Sequence, residues 1–209
     1  MIKKYKLEET FELSQNYLFF WDKLEKSNFF LQTIIETKKH KTDSRLIQHL
    51  LTEPVSDGGQ WNMLVNIVNK YGIIPKCCMN ETYASSNTGE LEYVLNTKLR
   101  DMAHDIRTST ISSKKIETFM EDIYKTLVFF LGEPPKKINW EYYSTIKDKS
   151  TYKIIKNISP VQFYKKHIPF DINDMVCLVN APCKSKPFHN LYDLKYFGNT
   201  IEGKKSNFI

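Results

Sequence analysis

The sequence predicts an α+β fold, with helices first and strands later. Three observations carry that reading. From Leu7 to Leu131, apolar residues recur at helical spacing, whereas Ile138, Trp140 and Tyr142 alternate with the period of a strand. Gly, Pro, Ser and Asn punctuate those segments where helices start and stop. The balance of 41% hydrophobic and 26% charged residues over 209 positions is globular, and long enough for a core without staples.

The elements follow in order. Leu7 to Glu36 carries apolar groups on more than one face, including Phe11, Tyr17, Phe20, Trp21, Phe30 and Ile34, as expected of a central helix. Ser44 to Thr52 predicts a short helix stopped near Pro54. Asp57-Gly58-Gly59 signals a turn. Trp61, Leu64, Val65 and Val68 then fall at i, i+3, i+4 and i+7, and Gly72 stands where a left-handed cap is favoured. Asn87 with Glu90 reads as a capping pair for a helix striped by Leu91, Leu95, Met102 and Ile106. Ser112 or Ser113 opens the next, with Ile116, Phe119, Ile123, Leu127 and Phe130 inward and Gly132 and Pro134-Pro135 at its end. Thr151 to Lys156 is the expected hairpin partner of the Ile138 strand. Ser159-Pro160 starts a helix, and Met175–Asn180 and Leu191–Phe197 read as strands.

Composition limits the function classes. The formal charge of +6 is modest, and only Arg45, Arg100 and Arg107 supply guanidinium groups, so bidentate base readout is poorly provided. The Lys doublets are scattered and read first as solvated surface. No apolar run approaches a membrane span, no secretory signal is visible, and the four cysteines are too sparse for a disulfide scaffold; a cytoplasmic setting is expected.

Catalytic signals are weak at every local site. Cys77-Cys78 follows Pro75-Lys76 in a predicted loop, Cys177 reads as core and Cys183 as structural. Cys177, Cys183 and His189 are spaced too widely for a typical structural zinc, so no metal and no cofactor is expected. His40, His49, His104 and His167 stand singly, and no phosphate-cradling glycine motif occurs. The most informative stretch is Ser56-Asp57-Gly58-Gly59-Gln60-Trp61. Two glycines before a helix leave backbone groups uncovered, and such a segment can pair with an extended peptide. On its residues alone it reads first as a plain turn and helix start.

Those residues resemble the bleomycin hydrolase and aminopeptidase C family, a cytosolic branch of the papain-like cysteine peptidases. The resemblance covers essentially the whole chain. It is carried by Leu13-Ser14-Gln15-Asn16-Tyr17-Leu18-Phe19-Phe20-Trp21-Asp22-Lys23, Asp57-Gly58-Gly59-Gln60-Trp61 with Met63-Leu64-Val65, Lys70-Tyr71-Gly72-Ile73-Ile74-Pro75-Lys76, Leu131-Gly132-Glu133-Pro134-Pro135, Trp140-Glu141-Tyr142 and Cys177-Leu178-Val179-Asn180. Asn62, Asn80 and Gly89 depart from the usual pattern, where Asp, Pro and Arg are common.

The resemblance implies a papain-like fold represented mainly by its helical half, with an incomplete β half. It divides the chain into a helical-domain segment at 1–76, a helical insertion at 77–135 and a mixed α/β insertion with a hairpin at 136–209. It implies that Gly58 and Gly59 form one wall of the substrate cleft, with Gln60 and Trp61 beside the pocket for the second substrate residue. The family's catalytic Cys and oxyanion Gln are expected before Leu7, and its His and Asn after the last motif. None of the cysteines or histidines present matches a catalytic position, so this chain alone is expected to be inactive. The whole enzyme is expected to be a homo-hexamer acting on peptides through an acyl-enzyme. The alternative is a non-catalytic, Lys-rich remnant that binds nucleic acid weakly or serves a structural role.

Overall fold

The computed structural model describes residues 1–146, 149–175, 184, 190–192, 196 and 206–208. It is α+β. The described elements are α1 (Ile2–Tyr5), α2 (Gln15–Glu36), α3 (Arg45–Thr52), α4 (Trp61–Tyr71), α5 (Tyr83–Ser86), α6 (Gly89–Thr108), α7 (Ser113–Leu131), β1 (Ile138–Ile146), β2 (Lys149–Ile158), α8 (Pro160–His167), β3 (Asn190–Tyr192) and β4 (Ser206–Phe208). Two compact units are formed, both discontinuous in sequence: Met1–Leu18 with Gln60–Glu81 and Pro134–Ile209, and Phe19–Gly59 with Thr82–Glu133.

In the first unit, the predicted helix from Leu7 starts later, at Gln15. The cause is competition from a strand-like pairing. Leu13 bridges Pro75, Ser14 N–H donates to Ile74 C=O, and Lys76 N–H donates to Glu12 C=O. Ser14 then begins α2 by accepting from Tyr17 N–H at 3.0 Å, which satisfies one orphan donor of the first turn. Helix α4 buries Val65, Ile67 and Val68 and packs against α8.

Gly72 ends α4 at φ 77, ψ −163, a positive φ but outside the left-handed helical region expected. A Cβ there would lie 2.3 Å from the Pro160 carbonyl carbon, so the glycine lets the first turn of α8 approach the chain. Helix α8 opens with the expected Ser159-Pro160 pair, in a capping box closed by Gln162.

The predicted hairpin forms. β1 and β2 are antiparallel, with Tyr143 opposite Tyr152 and a bulge between Ile138 and Trp140. Trp140, 1% exposed, centres this unit's aromatic cluster. It stacks on Tyr142 at 4.3 Å and meets Tyr5 and Phe163 edge-on at 5.3 Å each. Of the two later strands expected, Met175–Asn180 lies outside the described residues after Met175. Of the expected Leu191–Phe197 strand, Leu191 and Tyr192 fall in β3, which pairs with β4, and residues 193–195 and 197 lie outside the described residues.

In the second unit, Leu91, Leu95, Leu99, Met102, Ala103 and Ile106 form the buried stripe of α6. Phe119, Ile123, Leu127 and Leu131 form that of α7, while Ile116 and Phe130 are only half-buried. Helix α7 is capped by Ser112, which accepts from Lys115 N–H. The expected Asn87–Glu90 cap does not form. Asn87 instead ends α5 and donates its amide to Tyr83 C=O. The N-cap of α6 is Thr88, whose hydroxyl donates to the Asp57 carboxylate at 2.7 Å rather than serving the helix. Among the described residues, no helix is long and apolar enough to cross a membrane.

Candidate functional site

The diglycine segment lies on the surface. Gly58 and Gly59 are both exposed, and neither has a positive φ. A Cβ on Gly59 would meet nothing within 4 Å, and one on Gly58 only Ser56 Oγ at 3.8 Å. The turn therefore does not require glycine for its own folding. Two bare residues in open space are what a close backbone approach by another chain requires. Among the described residues, neither the N–H nor the C=O of Gly59 has a hydrogen-bond partner.

The segment before it is held by charges on α2. Lys23, fully buried, places Nζ 2.6 Å from Asp57 Oδ1 and 2.7 Å from Glu92 Oε1. Lys26 Nζ pairs with Asp22 at 2.6 Å and donates to Ser56 C=O at 3.0 Å and to Gly58 C=O at 2.7 Å. Burial pushes the Asp57 carboxyl up, but hydrogen bonding to Glu92, Lys23 and Thr88 outweighs it and brings the group down to about 2. Burial, reinforced by the Asp57 carboxyl, pushes Glu92 up. Burial also raises Asp22. One buried ammonium thus serves two carboxylates, with the negative charge concentrated on Asp57.

Gln60 and Trp61 belong to the start of α4. Gln60 is exposed, in extended backbone at φ −107, and its carbonyl accepts from Met63 and Leu64 N–H while its side chain makes no cap. Trp61 is half-buried, and its buried Nε1–H lacks a hydrogen-bond partner among the described residues.

The remaining candidates from sequence are dispersed. Cys77 and Cys78 lie in a 3-10 turn, Lys76–Cys78, rather than an open loop. Cys77 is exposed; Cys78 sets Sγ 3.7 Å from Asn139 C=O. Burial, with Cys77 beside it, pushes the Cys78 thiol up to about 12, the opposite of nucleophile activation. His167 Nδ1 lies 2.6 Å from the Tyr5 hydroxyl, and burial with Lys4 and Lys166 lowers its pKa. Cys177, Cys183 and His189 lie outside the described residues. Among those described, no group of three His, Cys, Asp or Glu residues is placed to hold a metal.

Sequence reasoning missed the lysine frame. The signal present was the charged run Asp22-Lys23 and Glu25-Lys26 in the middle of a helix that is apolar on more than one face. An ammonium in such a helix is buried only with partners.

Comparison with known proteins agrees with the motifs. The model of the peptidase C1-like family matches residues 1–209. The chain is 43% identical over 203 residues to aminopeptidase C of Listeria innocua, covering 95% of this chain and 45% of that protein. It is 42% identical over 216 residues to bleomycin hydrolase of Mus musculus, covering 98% and 47%. The crystal structure of pepw from Lactobacillus rhamnosis superposes with a TM-score of 0.89 at 39% identity, over 100% of this chain and 47% of that one. The chain thus spans about half the length of these relatives. It belongs to the peptidase C1-like family, and its α+β architecture is part of a papain-like peptidase fold.

Proposed function

We propose that this chain is the central segment of a bleomycin hydrolase-like thiol aminopeptidase and supplies one wall of its substrate cleft. In the whole enzyme, a cysteine outside this segment attacks the scissile amide carbonyl, the amine leaves with a proton, and water releases the acyl group. The catalytic Cys, His and Asn belong to flanking regions, and this segment alone does not turn over substrate. The elevated Cys78 thiol argues against that one residue as the nucleophile. The names and lengths of the relatives support the family activity.

The observation that carries the cleft-wall role is the diglycine itself. Gly58 and Gly59 are exposed and conformationally free to be other residues, and the backbone N–H and C=O of Gly59 have no partner among the described residues. An extended peptide that pairs with Gly59 would gain main-chain bonds without regard to its side chains, as a broad aminopeptidase needs. Gln60 and Trp61 are assigned to the neighbouring pocket for the second substrate residue.

Titration of the protein with leucyl-alanyl-alanine amide, followed by amide NMR, tests this reading. The largest shifts are expected at Gly58 and Gly59, with no cleavage product. Cleavage by this chain, or shifts centred elsewhere, would contradict it. A weak nucleic-acid-binding role has no comparable local feature. Single-stranded DNA binding that falls steeply with salt would favour it.

A further inference from the structure

The lysine frame has more order than an exposed turn needs. Two lysines within one helical turn of α2, Lys23 and Lys26, address three consecutive residues, 56 to 58. Lys23 takes the Asp57 carboxylate, and Lys26 takes the carbonyls on either side of it. Asp22 in turn fixes the Lys26 ammonium at 2.6 Å. Thr88 adds its hydroxyl to the second oxygen of Asp57. All of these residues lie in the same compact unit.

The pattern of use is selective. The Gly58 carbonyl is taken by an ammonium, whereas the backbone N–H and C=O of Gly59 have no partner among the described residues. A lysine side chain has three donors and a strongly rotatable stem, so holding it to two carbonyls and a carboxylate is entropically unfavourable. That ordering is compensated if it keeps the adjacent edge in one conformation before a peptide arrives, because preorganisation removes an ordering penalty from binding.

We infer that Lys26, supported by Asp22 and Lys23, is a positioning residue that presets the Gly59 edge for extended peptides. The inference rests on the cleft-wall reading above and deepens it. Lys26 does not touch the substrate; it acts through the Ser56 and Gly58 carbonyls.

The test compares Lys26→Met, which keeps the stem but loses the donors, with Lys26→Arg, which restores a cation with several donors. Leucyl-alanyl-alanine amide is the probe. The dissociation constant is expected to rise at least about fivefold in Lys26→Met, because the cost of ordering the edge then falls on binding, and to return within about twofold in Lys26→Arg. Backbone relaxation of Gly59 without peptide is the second measurement. Its order parameter is expected near about 0.85 in the parent and Lys26→Arg, and below about 0.6 in Lys26→Met.

A parent protein that shows no peptide-dependent shift at Gly58 or Gly59 would refute the cleft-wall reading. The relaxation result then still decides whether Lys26 orders the edge. A parent that binds, with Lys26→Met equally tight and Gly59 equally ordered, would overturn the positioning role alone.

Discussion

Replacing Gly59 by alanine separates a fold requirement from a binding requirement. A Cβ at this position meets nothing within 4 Å, and the backbone is not in the positive-φ region. The folded state accepts the methyl group, while the unfolded chain loses freedom. Stability is therefore expected to rise by about 0.4–1 kcal/mol. Peptide affinity is expected to move the other way. The methyl group stands where the incoming main chain must approach, and loses one or both bonds to the Gly59 N–H and C=O. At about 0.5–1.5 kcal/mol each, that weakens binding by roughly 2- to 150-fold. Urea denaturation and peptide titration on the same variant give both numbers. Destabilisation beyond about 1 kcal/mol would mean that the turn itself needs glycine. Unchanged affinity would mean that the bare backbone is not a binding edge.

Other outcomes follow from the same geometry. Gly72→Ala is expected to destabilise by at least about 3 kcal/mol in urea unfolding, because it combines a positive φ with a Cβ 2.3 Å from the Pro160 backbone; a loss under about 1 kcal/mol would contradict that contact. Lys23→Met leaves Asp57 and Glu92 without their shared ammonium. Fully buried pairs lose about 3–5 kcal/mol when one partner is removed, and the half-exposed Asp57 carboxylate lowers the expectation to about 2 kcal/mol. The pH dependence has a defined sign. Asp57 is depressed in the folded protein, so its contribution is present above 3.8 and is lost as pH falls towards about 2. Raised Glu92 acts oppositely, its contribution fading as pH rises through its folded value. Asp57→Asn is therefore expected to flatten the acid limb of a stability profile, and an unchanged limb would count against the network. Finally, iodoacetamide at neutral pH is expected to modify Cys77 well before Cys78, read by fragment-ion mass spectrometry, since Cys78 is held at about 12.

Much of the fold was legible because it depends on local chemistry. Ser112 and Ser159 cap the helices they announce, and Ile138, Trp140 and Tyr142 alternate into the hairpin. Several of the departures share one cause, a long-range partner overriding a local preference. Leu13 and Ser14 pair with the segment around Pro75 before α2 can begin, and Thr88 turns to Asp57 instead of capping α6. Gly72 reads as a helix stop from sequence, but its use depends on Pro160, 88 positions away, which spacing does not reveal. At the site, the diglycine and the tryptophan after it were visible as motif residues. The frame beneath them was not, because Lys23 meets Asp57 and Glu92 across 34 and 69 positions. A charge within an apolar helix was the only trace.

If the backbone N–H and C=O of Gly59 receive an extended substrate, a crystal structure of the protein with leucyl-alanyl-alanine amide will show the contact itself. The peptide is expected to lie antiparallel to the turn, with main-chain N–H and C=O groups about 2.7–3.2 Å from the oxygen and nitrogen of Gly59. A peptide seated elsewhere, with the Gly59 N–H and C=O still facing water, would contradict it.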